Sequence, residues 1–263
     1  MERKYELTDE TKVFYCRTLH RIVAIRDFAD VKAGDKGGWI EHDGNLSHEG
    51  NCWVYNDARV FDKALVFGCA KIQDSAIVYG KASVYGNAQV YGGACIGNNA
   101  KVYGNAAVCG KASVSDDAQV YDFAKVYENT AVSCNARVCE YARVCGRAQV
   151  FGYAKVCGTA QVYDTANICD SAQILGDTSI HGAAFICDDA IISSDKDYIV
   201  FKNWWSSGNY ITWTRSNNKW FANDFFGSCD GLIRKGYEES DDSGREYERI
   251  VRYVEEIIKD NQE

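Results

Sequence analysis

Residues Val84–Ser113 read VYGNAQVYGGACIGNNAKVYGNAAVCGKAS, and a single six-residue period runs through them. Every sixth residue from Val54 to Ile192 is Val or Ile, at 24 positions without exception. Four residues after each, from Ala58 to Ala190, stands Ala at 21 of 23 positions; Thr130 and Thr178 are the others. Two residues after each Val or Ile the chain usually carries Gly, Asp or Asn, as at Gly80, Gly86, Gly92, Asp116 and Asp122. Val and Ile suit extended backbone with a buried face. Alternation along a strand puts Val84 inside and Ser83 and Tyr85 outside. Gly, Asp and Asn tolerate the positive φ of a tight corner. Six residues therefore make one short strand and one corner. Such a unit cannot bury its inner face alone, so units must coil and stack. An α-helix is excluded, because a period of six drifts around a 3.6-residue turn.

This pattern resembles the hexapeptide-repeat family. The resemblance implies an all-β fold: a left-handed parallel β-helix in which three hexads make one triangular coil of 18 residues. On that basis residues 51–194 form about eight coils, a stack roughly 35–40 Å long at the sheet spacing. Residues 1–50 are expected to form an N-terminal cap, with LHRIVAIRDF as a strand, KAGDKGG as a turn and WIE as the start of the first coils. Residues 195–263 change character. They hold four of the six tryptophans. YITWTRSNNKWFAN reads as a hairpin around Asn217–Asn218, followed by a short helix near Leu232–Glu239. GREYERIVRYVEEIIKD is an amphipathic helix with Tyr247, Ile250, Val251, Val254, Ile257 and Ile258 on one face. The expectation is a small α+β C-terminal module.

The stretch from about Leu19 into the coils, and GREY at Gly244–Tyr247, are similar to a YdcK-type transferase group frequent in phage and prophage genomes. That resemblance implies a phage-encoded protein in the host cytoplasm. It also invites a CoA-dependent acyltransferase, because many hexapeptide proteins use a histidine base near a loop extruded from the coils. The chain has four histidines, and of these only His181 lies in the regular coils, pointing outward. No insertion breaks the register between Val54 and Ile192. His181 is therefore the one weak catalytic candidate, with acetyl-CoA as cofactor only under this alternative. The carbonic anhydrases of this fold need three metal histidines, and ice-binding β-helices need threonine ladders; neither pattern is present. Cys139 and Cys157 should stack on adjacent coils and Cys145 on another face; they are read as small surface hydrophobes, and no metal is expected.

The net charge of −8 divides unevenly, with −2 in residues 1–50, −2 in 51–194 and −4 in 195–263, but no segment is basic, so nucleic acid lacks its usual footprint. No run is long and apolar enough for a membrane span, and the N-terminus has no signal core. Twelve cysteines in a chain this long suit free thiols in a reducing cytoplasm. The leading expectation is a non-catalytic binding or scaffold protein with no cofactor. A second alternative is a protein that sequesters a small nucleotide or signal; binding of a host protein is a further expectation. Its ligand-binding candidates are Trp204, Trp205, Trp213, Arg215 and Trp220, which could stack on a base; the competing reading makes these aromatics a small domain's core.

Outward residues sorted by face give one more expectation. One face carries Ile77, Tyr79, Cys95, Ser113, Ala131, Phe151, Cys169 and Phe185, and after Arg59 it holds no charge. The other two keep Lys or Arg, at Lys71, Lys125 and Arg143 and at Lys101, Arg137 and Lys155. A solvated sheet face would carry charge, so this strip is expected to be covered, by a homo-oligomer (trimer or dimer) or by the folded-back module.

Overall fold

The computed structural model describes residues 2–204 and 208–260. The chain begins with an antiparallel hairpin, β1 (Tyr5–Phe14) and β2 (Arg17–Ala24), and β2 pairs antiparallel with β3 (Lys36–Ile40). From there 24 two-residue strands follow at the hexad spacing, β4 (Trp53–Val54) through β27 (Ile191–Ile192). They stack into three parallel sheets, each holding every third strand. The register is that of the hexads: Val84 pairs with Val102, which pairs with Val120. The inward Val, Ile and Ala side chains form one continuous buried column. Each buried Val or Ile contributes about 1.5–3 kcal/mol relative to exposure.

The solenoid has about nine turns, one more than the repeat count gives. β3 pairs parallel with β5 (Arg59–Val60), and Leu46 bridges Val66. Ile40 and Leu46 are thus inward residues of an additional first coil. It escapes the period because it lies 20 residues, not 18, before its partners (Ile40 to Val60, against Val54 to Ile72). Gly37 and Gly38 permit it: a Cβ on either would fall 2.5–2.6 Å from Ile22, Val54 or Ala58 atoms.

Corners follow one rule. All 23 corner residues from Asn56 to Asp188 have positive φ. Where the corner is acidic, its carboxylate often accepts the N–H of the corner one coil on, as Asp74 does from Gly92 (2.9 Å), Glu128 from Gly146 (2.7 Å) and Asp164 from Gly182 (2.9 Å). The frequency of Asp at corners therefore has two causes, left-handed backbone and an acceptor for an otherwise unpaired donor.

A stack of parallel coils has polar ends. Each coil donates its strand N–H groups to carbonyls of the next, for example Lys101 N to Ala118 O at 2.9 Å. Fewer bonds return, so the first coil is left mainly with bare carbonyls and the last mainly with bare N–H groups. The two flanks match this asymmetry. At the N-terminal end donors arrive: Lys4 Nζ reaches Gly50 O and Cys52 O, Arg21 reaches Gly37 O and Asn56 O, and Asn45 Nδ2 reaches Ala64 O. Lys4 is fully buried, and its pKa is lowered by that burial. At the C-terminal end three acceptors arrive, one per sheet, beside one donor, the Tyr198 hydroxyl on Ser179 O. Asp195 Oδ1 takes Ser179 N–H (2.7 Å), Thr212 Oγ1 takes Phe185 N–H (3.0 Å) and Ser216 Oγ takes Ile191 N–H (2.7 Å).

The C-terminal module is a four-stranded antiparallel sheet, β28 (Tyr198–Lys202), β29 (Tyr210–Thr214), β30 (Lys219–Ala222) and β31 (Phe225–Gly227), with helices α1 (Cys229–Glu239) and α2 (Asp241–Asp260). The hairpin turn lies between Thr214 and Lys219, as the sequence predicts. Its core is Ile211, Trp213, Trp220, Leu232, Tyr247 and Val251. All twelve cysteines are free thiols. No helix among the described residues is long and apolar enough to cross a membrane.

Candidate ligand clefts on one face of the solenoid

The sheet built on β4 carries outward rows that alternate in size. Its rungs run Tyr55, Gln73, Tyr91, Cys109, Tyr127, Cys145, Tyr163 and His181, one per coil. Tyrosine thus returns on every second coil. Between tyrosines the face dips, and two of these dips are clefts.

The first cleft lies where the last coil meets the C-terminal module, with a volume of about 450 Å³. Ser179, His181, Asp195, Tyr198 and Tyr210 line it. The His181 ring is exposed and stacks on Tyr163, centroids 5.4 Å apart. Tyr198 is buried, and its hydroxyl donates to Ser179 O at 2.8 Å. Burial is the main cause that pushes the Tyr198 pKa up to about 12, so it remains a neutral donor. Asp195 is engaged with the Ser179 N–H. The polar groups beside His181 are thus occupied in joining the coil to the module.

The second cleft sits mid-solenoid around Ala107 and Cys109, with a volume of about 520 Å³. Tyr91 and Tyr127 stand on the rungs either side of Cys109. Lys125 pairs with Ala107 in register, and Arg143 with Lys125. The Cys109 thiol beside the Tyr91 hydroxyl, together with burial, raises the Tyr91 pKa. The neighbouring Cys145 thiol likewise leads in pushing the Tyr127 pKa up to about 12.

The tryptophans do not come together as a set. Trp213 and Trp220 are buried in the module's core, ring centroids 6.4 Å apart, and Trp213 Nε1 donates to Asn218. Trp204 is 72% exposed, with Lys202 Nζ 3.8 Å above its ring. Arg215 is exposed in the hairpin turn. Trp205 lies outside the described residues. The uncharged strip occupies the sheet that continues from β3. Phe61 at one end packs with Leu19, Trp39 and Phe14 of the cap, and Ile77 and Tyr79 adjoin them. Phe185 at the other end stacks on Phe221 of the module, centroids 3.7 Å apart. Between them Cys95, Ser113, Ala131 and Phe151 are half-buried, and Cys169 is buried.

Two thiol–carboxylate groups bring possible ligand atoms close together. Cys139, Glu140 and Cys157 form one and Cys169, Asp170 and Cys187 the other, with ligand atoms in each within 4.8 Å of one another. The Cys139–Cys157 stacking is legible from the 18-residue spacing. The carboxylates are not, because their direction depends on the corner. Each already accepts a corner N–H, Glu140 from Gly158 and Asp170 from Asp188.

No family model matches the chain. It is similar to a curated protein of Escherichia coli strain K12 named uncharacterized acetyltransferase YdcK, with 41% identity over 66 residues that cover 22% of this chain and 20% of that protein. The chain spans about a fifth of the length of that relative. The stacked parallel coils of hexads and this relative together fit the hexapeptide-repeat β-helix family.

Proposed function

We propose that this β-helix is a non-catalytic binding scaffold, whose outward coil face holds a small ligand. The observation that carries the reading is the pair of preformed clefts on one face of an unbroken solenoid. A surface fixed by coil-to-coil pairing loses little conformational freedom on binding, so contact energy goes into affinity. A thermal-shift screen of nucleotides, acyl-CoAs and small acids tests it. A ligand that binds the native state raises the melting temperature with its concentration. A flat response to every class would contradict the reading.

The second reading is a CoA-dependent acyltransferase. Two observations favour it: the acetyltransferase name of the relative, and an exposed imidazole at His181 inside a cleft. It requires CoA release that disappears in His181→Ala. The uncharged strip is further read as a contact between copies of this chain, a dimer or trimer, because its two ends are closed by the chain itself and its middle is not.

A further inference from the structure

We infer that the cleft around Cys109 is a slot for a small aromatic anion of the purine nucleotide class, with the ring laid between Tyr91 and Tyr127 and the phosphate on Lys125 and Arg143. This deepens the binding reading and rests on it.

The neighbouring sheet shows what fills such a slot. There Phe67, Tyr85, Tyr103 and Tyr121 stand on successive coils and stack face to face, centroids 4.7, 4.9 and 5.0 Å apart and nearly parallel. Tyr91 and Tyr127 are likewise two coils apart, about 10 Å at the sheet spacing, but the rung between them holds only Ala107 and Cys109. One aromatic thickness is missing from the row. Cys145 also stands between tyrosines, yet Arg143 fills the rung beside it; only around Cys109 are both outward residues small. The floor is apolar and the walls are aromatic, which suits the face of a planar ring. Gln89 and Asn105 on the rim offer donors and acceptors to its edge.

Charge sets the other half of the ligand. Lys125 and Arg143 are exposed on successive rungs at the same cleft. The ion pairs among the described residues involve the cap, the module and Lys71, and leave these two cations out. A chain of net charge −8 that sets two unpaired cations side by side beside an aromatic slot is complementary to an anion on a ring.

Calorimetric titration of the full chain with AMP and GMP, and with adenosine and inorganic phosphate as half-ligands, tests this. At least one nucleotide should bind one per chain, at least tenfold tighter than either half-ligand, and weaken with added salt. Lys125→Ala combined with Arg143→Ala should weaken it at least tenfold. Cys109→Tyr completes the aromatic row as in the neighbouring sheet; it should keep or raise the melting temperature and abolish binding. Nucleotide affinity unchanged in Cys109→Tyr would overturn the slot while leaving a binding protein. Absence of nucleotide binding at millimolar concentration would overturn the ligand class, and the screen with other ligands then decides the broader reading separately.

Discussion

Cys134 occupies a corner at φ 58°, where its neighbours along the chain are Glu128 and Glu140 with the same left-handed backbone. Those two glutamates compensate by accepting the N–H of Gly146 and Gly158. A thiol cannot take the equivalent bond with comparable strength. Cys134→Gly should therefore relieve backbone strain and stabilise the protein by about 1 kcal/mol, read as a raised midpoint in urea. An unchanged or lowered midpoint would show that the corner is unstrained. At this scale the sequence was highly legible where one residue has one job. The inward Val, Ile and Ala, and the corner Gly and Asp, are readable because burial and positive φ each admit few residue types. Outward residues are not, because nearly any side chain is tolerated there. The Cys109 slot depends on what is missing from a row, and the period that exposes it, Tyr55, Tyr91, Tyr127 and Tyr163, is twice the coil length.

Elements at the two ends are decided by backbone polarity. The module's three side-chain acceptors each close one sheet edge, so their loss should be felt beyond the module. Thr212→Val keeps the shape but strands the Phe185 N–H, and should cost roughly 1–3 kcal/mol. Hydrogen exchange should show faster exchange in the last coil and unchanged rates near Val102; uniform protection would rule out the capping role. The aromatic row makes a pH prediction. Burial raises the pKa of Tyr85, Tyr103 and Tyr121 above 10.0. A raised folded value means that stability from the row is fully present below about 10, the unfolded value, and is lost as pH rises through the folded values. Phenolate absorbance should thus appear together with loss of β-sheet signal above pH 10, and replacing all three by Phe should move that transition upward. Gradual ionisation in intact protein would contradict this. The start of the first coil was legible at Trp39–Glu41, but its extent was not, because its offset of 20 residues breaks the period that counts the others. The hairpin and final helix were, because their patterns are local. Partnering between the flanks and the coil ends was not, since it joins residues such as Thr212 and Phe185 through space.

Over the whole molecule the three faces differ in what they leave open. One carries the stacked aromatic row with Lys101, Arg137 and Lys155, and one carries the two clefts. The third is uncharged from Cys95 to Asn167 and closed at each end by the chain's own flanks. If a second copy covers its middle, Ala131→Arg should lower the mass seen by light scattering at tens of micromolar while leaving the melting of the coils intact. A wild-type monomer at that concentration would remove the oligomer. The central claim is that the coil surface binds and does not turn over. It is tested most directly by incubating equimolar protein with acetyl-CoA and a broad set of amine and hydroxyl acceptors, then quantifying free CoA. The account predicts acetyl-CoA recovered intact, with the wild type and His181→Ala indistinguishable from buffer. CoA release that scales with wild-type protein and vanishes in His181→Ala would contradict it and make the protein an acyltransferase.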